Sequence, residues 1–178
     1  MEDKVILVNE NDQEIGSEEK LQAHIDGLLH RALSVLIFNS SGELLLQRRA
    51  LDKYHSPGLW TNTCCSHPRP GEDTATAAHR RLKEEMGIKT MLTFCFSFIY
   101  KAELDNSLFE NELDHVFVGQ SDSLPELNRD EAMEYKYINP DFLIHDMKEN
   151  PTNYTVWFRL IMLNHYNEIA KNWTYESV

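Results

Sequence analysis

Between Trp60 and Gly87 the chain reads WTNTCCSHPRPGEDTATAAHRRLKEEMG, and this stretch constrains what the rest can become. It opens as an extended segment in which Cys65 and His67 stand two apart, so both side chains leave the same side of the backbone. Pro68, Pro70 and Gly71 turn the chain, and a helix follows. Asp73 or Thr74 can cap its start, and Gly87 suits its end. Ala75, Ala78, Leu82 and Met86 fall on one stripe at ~100° per residue. Arg81 and Glu85 are i,i+4 neighbours flanking that stripe, whereas Arg80 and Glu84 pair nearer to solvent. Glu85 is thus the better metal-ligand candidate of the two glutamates, and Arg81 the better anion-binder of the two arginines. Taken alone, such a helix is more often a solvated face laced with ion pairs.

The flanking sequence supplies strands and helices in uneven alternation. Val5 to Val8 reads as a short strand, and Ser17 can cap a helical turn that leads to Lys20, His24 and His30. These two histidines are six apart and share no face of a regular helix, so binding one ion would require a bend, which Gly27 permits. Residues 32 to 48 read as a hairpin through Ser40-Ser41-Gly42, ending in the basic group Arg48, Arg49 and Lys53. Such a group is either charge at a strand end or a diphosphate clamp, since Arg forks onto phosphate oxygens and Lys adds a compact charge. Strands follow at Leu92 to Tyr100, at Leu113 to Gly119 and over Met133 to Tyr137, where apolar and charged residues alternate. Glu110 and Glu112, just before the second of these, share one face of an extended chain. Like charges so placed repel unless a cation or a proton lies between them, although two solvated acids on an edge strand are the commoner case. Pro140 to Lys148 and Tyr154 to Lys171 read as helices, and in the second Trp157 is by base expectation a core residue. The tail from Asn172 is expected to be loosely held. This pattern points to an α/β sandwich with a mixed sheet, and no dinucleotide-binding or phosphate-loop motif is present.

The helix resembles the signature of the Nudix superfamily, G-x5-E-x7-R-E-U-x-E-E-x-G-U with U apolar, through Glu72, Arg80, Leu82, Glu84, Glu85, Gly87 and Ile88. Ser66 replaces the first Gly, and Arg81 stands where the pattern has a metal-binding Glu. Together with TNTCCSHP and Glu110-Asn111-Glu112, the chain is similar to type I isopentenyl-diphosphate isomerases over nearly its whole length. The resemblance implies one Nudix-like domain over residues 1–178, a mixed β-sheet sandwiched between helices. It implies a 1,3-allylic rearrangement of isopentenyl to dimethylallyl diphosphate, a step of isoprenoid biosynthesis, with a Nudix hydrolase acting on a diphosphate as the alternative. It assigns proton transfer to Cys65 and Glu112, with Tyr100 assisting and either member able to give the first proton. It places a divalent ion (Mn2+, Zn2+ or Mg2+) on His24, His30, His67, Glu110 and Glu112, and Mg2+ with the substrate's diphosphate on Glu85. It makes Lys20, Arg49, Lys53 and Arg81 the diphosphate clamp and sets the Trp157 ring against the carbocation.

Composition bounds the partners. The 178 residues carry a net charge of -12, with no broad basic patch, so a nucleic-acid partner is not expected. A local Lys and Arg cluster still suits a small anion. Three cysteines, two adjacent, make a disulfide framework improbable and fit a reducing cytoplasm. The acidic Met1-Glu2-Asp3 start and the short apolar run after it argue against a signal peptide, and no run approaches the ~20 residues of a membrane span. A monomer or weak homodimer is the expected state.

Overall fold

The computed structural model describes residues 3–173. β1 (Lys4–Val8) turns back into β2 (Glu14–Glu19), an antiparallel neighbour. Sequence reading places a helix start at Ser17. Ser17 instead pairs with Ile6 in this ladder, and Glu19 caps α1 (Lys20–Asp26) by accepting from the Gln22 amide. EIGSEE carries no apolar alternation, so its sequence does not mark the strand. Gly27 ends α1 at φ 63°, and the chain enters β3 (His30–Phe38). β4 (Leu44–Arg49), β5 (Trp60–Thr61), β6 (Cys64–Ser66) and α2 (Thr74–Met86) follow. Then come β7 (Leu92–Glu103), β8 (Phe109–Gln120), β9 (Ala132–Ile138), α3 (Pro140–Glu149) and α4 (Val156–Asn172).

β3 is the axis of the sheet. It runs parallel to β8 from His30 opposite Glu112 to Phe38 opposite Gln120, and β8 pairs antiparallel with β7. Period-two alternation sends β3 and β8 side chains to opposite faces. Leu36, Phe38, Val116 and Val118 pack with α3 and α4 through Leu143, Trp157, Phe158 and Ile161. Leu33, Val35, Ile37 and Phe117 pack with α2 through Ala77, Ala78, Leu82 and Met86. The mixed sheet is therefore covered by helices on both faces. The α2 stripe is shifted from the expected one, since Ala75 is exposed while Ala77 and Glu85 are buried.

The hairpin expected over 32 to 48 is a fork. β3 and β4 pair only at Phe38 and Leu44, then diverge, and β4 takes β9 and β5 as partners while β3 takes β6. The TNT segment fills the gap. The Thr63 hydroxyl donates to Leu45 O on β4 (2.6 Å) and accepts from the Ile37 amide on β3 (2.9 Å), replacing one lost rung. Asn62 donates to Val35 O and Cys64 O, and accepts from Trp157 Nε1 (3.2 Å), which ties α4 to the wedge. These buried polar side chains persist because each finds backbone partners. Where α4 ends, the Trp173 ring stacks on Phe38 at 4.1 Å; the rest of the tail, 174–178, lies outside the described residues. No helix among the described residues is long and apolar enough to cross a membrane.

Candidate active site

The fork opens onto a cavity of about 200 Å³, below the ~300–1,000 Å³ typical of drug-sized ligand sites. Its wall includes Lys20, Arg49, Lys53, Cys65, His67, Arg81, Glu85, Glu110, Glu112 and Trp157.

 Of the thirteen sequence-derived candidates, then, these ten line the wall, and His24, His30 and Tyr100 lie buried outside it.

One end of the cavity collects imidazoles and carboxylates, and strand register explains how. Glu112 on β8 lies opposite His30 on β3 and opposite Tyr100 on β7, so three adjacent strands deliver three polar side chains to one place. The Gly27 bend swings His24 back until its ring centroid is 4.9 Å from that of His30. His67 Nε2 lies 2.9 Å and His30 Nε2 3.4 Å from Glu112 Oε1. His24 Nδ1 faces Lys20 O at 2.7 Å and His30 Nδ1 faces Leu28 O at 2.8 Å. A backbone carbonyl accepts, so each Nδ1 carries the proton and each Nε2 keeps its lone pair for a ligand. Both Nε2 atoms are buried and make no hydrogen bond. Donor atoms of His24, His30, His67 and Glu112 all lie within 4.8 Å of one another. Unsatisfied imidazole nitrogens converging with carboxylates fit a divalent ion.

The Tyr100 hydroxyl lies 2.9 Å from Glu110 Oε2 and 2.6 Å from Glu112 Oε2. One hydroxyl has one proton to give, so the second contact asks for a proton on a carboxyl. Burial and the neighbouring Glu112 charge raise Glu110 well above the carboxylate range. Burial would raise Glu112 as well, but the His30 and His67 rings that face its carboxylate outweigh it and hold Glu112 well below that range. Without metal the pair thus shares a proton, carried on Glu110. Cys65 enters from β6. Burial pushes its thiol up to about 12 despite the Arg49 guanidinium, whose Nη1 is 3.9 Å from Sγ. Cys64 points the other way, into the core beneath α2, as alternation requires.

The wall also carries cationic side chains, most of them already partnered. Arg81 donates to Glu85 (2.7 Å), to Glu131 (2.9 Å) and to Glu84 (2.8 Å). Lys53 also donates to Glu131, and Gln47 donates to Glu85 at 2.8 Å. Lys20 Nζ is 3.9 Å from Asp3. Arg80, placed nearer to solvent by sequence reading, is as covered as Arg81, with side-chain exposures of 20% and 19%. The reason is Glu72, onto which Arg80 forks at 2.7 and 2.8 Å. Arg49 lies under Trp157, its guanidinium carbon 5.4 Å from the ring centre.

A NUDIX domain model matches residues 28–158. "Isopentenyl-diphosphate Delta-isomerase 1" of Aromatoleum aromaticum is 57% identical over 157 residues, covering 88% of this chain and 89% of that protein. "Isopentenyl-diphosphate Delta-isomerase" of Pectobacterium atrosepticum is 53% identical over 157 residues, 88% of each chain. The chain belongs to the isopentenyl-diphosphate Delta-isomerase family, within the NUDIX fold. The crystal structure of DR0079 from Deinococcus radiodurans superposes with a TM-score of 0.74 at 17% identity, over 92% of this chain and 99% of that one, which speaks for the fold alone.

Three polar residues at or beside this cavity are not among the candidates read from the sequence. Glu131 bridges Lys53 and Arg81 from a loop before β9, and no local pattern marks it. Asp114 follows Glu112 on the same face of β8, where an i,i+2,i+4 extension of the Glu110–Glu112 pair could have found it. Burial pushes Asp114 up to about 8, and Ser34 donates to it at 2.8 Å. His55 stands in the loop after β4 and packs against His24 with ring centres 5.8 Å apart.

Proposed function

We propose that this chain interconverts isopentenyl and dimethylallyl diphosphate by adding a proton at one end of the allylic system and removing one at the other. The observation that carries the reading is the convergence of a protonated thiol, Cys65, and an ionised carboxylate, Glu112, on one small cavity whose wall also carries Lys20, Arg49, Lys53 and Arg81. A proton adds to the terminal methylene carbon, leaving a tertiary carbocation at the branch carbon. Loss of a proton from the next methylene then forms the internal double bond. The diphosphate stays attached throughout. This chemistry needs one group that carries a proton and one that lacks it, and reversal of the reaction exchanges their roles. Cys65 and Glu112 meet that need, and Tyr100 steadies Glu112 from behind by hydrogen bonding.

Lys20, Arg49, Lys53 and Arg81 bind the diphosphate. The incoming anion competes with Glu131 for Lys53 and Arg81, so binding exchanges one anionic partner for another. Trp157 shields the cation from water and presents its ring, an attraction of about 1–2 kcal/mol when desolvated. His24, His30, His67, Glu110 and Glu112 hold a divalent ion, Mn2+, Zn2+ or Mg2+, and Glu85 holds Mg2+ with the diphosphate. A cation at the histidine site supplies positive charge that fixes Glu112 and sets its acidity. Hydrolysis of the diphosphate is the weaker reading, because Arg81 occupies a metal-binding Glu position of the Nudix pattern and pairs with Glu85.

The test is a pair of variants at adjacent positions. Cys65→Ala should abolish turnover while leaving thermal stability and Mg2+-dependent diphosphate binding close to the parent. Cys64→Ala, in the core, should keep turnover within a few fold. Equal losses in the two variants, or normal turnover in Cys65→Ala, would remove Cys65 from the chemistry.

A further inference from the structure

We propose that Asn62 is a positioning residue of the rearrangement: its side-chain amide fixes the Trp157 ring against the strand that carries Cys65, so that the ring already faces the carbon that becomes cationic. The proposal rests on the reading that Trp157 presents its ring to the carbocation.

Asn62 lies in the link between β5 and β6, fully buried, and does not itself line the cavity. Its Nδ2 donates to Val35 O on β3 (3.3 Å) and to Cys64 O on β6 (2.6 Å). Its Oδ1 accepts from the Thr61 hydroxyl (2.9 Å) and from Trp157 Nε1 (3.2 Å). Both amide hydrogens and both lone pairs are therefore used. The amide has one workable orientation. Turned over, its NH2 would face the indole N–H, and its oxygen would face two carbonyl oxygens.

The line of hydrogen bonds continues into α4. The single Thr61 hydrogen goes to Asn62, so Thr61 accepts from the Thr155 hydroxyl, 2.9 Å away. Thr155 stands at the N-cap of α4, yet its side chain caps nothing there. Its hydroxyl serves this line instead, and its amide donates to Trp60 O at 3.0 Å. Trp157 follows two residues later. The ring is thus held at both ends, by a helix start tied to β5 and by an indole N–H tied to Asn62.

An indole turns about two side-chain bonds, and its attraction for a cation depends on which way its face points. Here a rival is near, since the Arg49 guanidinium carbon lies 5.4 Å from the ring centre. The bond to Asn62 restricts the ring before substrate arrives, so the developing charge meets a face already in place. The bond to Cys64 O holds β6 at the residue before Cys65. One buried amide thereby sets the thiol that transfers the proton and the ring that meets the resulting charge.

The experiment compares two probes by calorimetry on the reduced, metal-replete chain with Mg2+. One is 2-(dimethylamino)ethyl diphosphate, whose ammonium nitrogen stands where the cationic carbon forms. The other is 3-methylbutyl diphosphate, its uncharged isostere. The ratio of their affinities reads the preference for positive charge, and Trp157→Leu gives the part that owes nothing to the ring. The parent ratio should exceed that of Trp157→Leu by about 5–30-fold. Asn62→Leu should lose most of this excess while inorganic diphosphate binds as in the parent. Trp157→3-benzothienylalanine keeps the aromatic face, removes only the N–H and leaves the Asn62 wedge intact, and it should lose most of the excess too. A parent ratio kept by the benzothienyl chain overturns the proposal, even where Asn62→Leu loses the ratio or fails to fold. Equal weakening of all three ligands in Asn62→Leu, with the ratio unchanged, also overturns it, because that is what a purely structural role would give. A ratio unchanged in Trp157→Leu overturns the reading of the ring itself.

Discussion

Replacing Arg49 with Lys keeps the charge and removes the fork, and the structure says what that costs. Arg49 is 8% exposed, and its guanidinium donates to the carbonyls of His55 and Ser56 while lying under Trp157. Ser56 sits at φ 49°, a conformation that costs a non-glycine residue on the order of 1 kcal/mol or more unless held. Lysine carries a compact ammonium that cannot reproduce both bonds. Losing one hydrogen bond from a charged donor costs about 1.5–3 kcal/mol, and losing the stacked cation adds about 0.5–1 kcal/mol. Arg49→Lys should therefore destabilise the chain by about 2–4 kcal/mol. With a urea slope of about 2 kcal/mol/M, the unfolding midpoint should fall by about 1–2 M at an unchanged slope. The same loop carries Lys53 and His55, so KM for isopentenyl diphosphate should rise as well. A midpoint within about 0.25 M of the parent, an effect of ~0.5 kcal/mol that is ordinary for surface substitutions, would refute the claim that Arg49 pins this loop.

Two further outcomes follow from the charges. Glu131→Gln removes the anion that occupies Lys53 and Arg81, so inorganic diphosphate without metal should bind several-fold tighter by calorimetry; weaker binding would show that Glu131 helps to hold the anion. The metal-stripped chain should be acid-labile. Burial pushes His55 down to about 2 and His67 down to about 3, so both add stability above the unfolded histidine value of 6.5, and that stability is lost as pH falls below it. Asp114, pushed up to about 8, works oppositely: it favours the fold most below its unfolded value of 3.8 and offsets one histidine between there and pH 6.5. Below about pH 4 the offset ends, and these two histidines together should cost about 2.7 kcal/mol per pH unit. Urea midpoints that stay flat from pH 4.5 to 3.5 would contradict this.

Much of the site was legible because its residues sit in regular elements. Cys65 and His67, Glu110 and Glu112, and Arg81 and Glu85 follow strand and helix periods, and each pair shares a face as spacing requires. Gly27 was readable as a bend because only a left-handed residue lets α1 turn so soon into β3. What stayed hidden was set by tertiary partners. The β3–β4 fork depends on Thr63 bonding to both strands, and a hairpin pattern cannot reveal a wedge. β2 is polar throughout and is a strand only because β1 offers it a ladder. The cover on Arg80 depends on Glu72, eight residues away and outside the i,i+4 neighbourhood. Glu131 and His55 come from loops, where no period exists to mark them.

The most direct measurement incubates the reduced, metal-replete chain with isopentenyl diphosphate and Mg2+ in deuterated water, following product by NMR and released phosphate together. The account predicts dimethylallyl diphosphate carrying deuterium in a methyl group, with no phosphate released. Release of phosphate or of a monophosphate without the isomer would contradict it and favour the hydrolase.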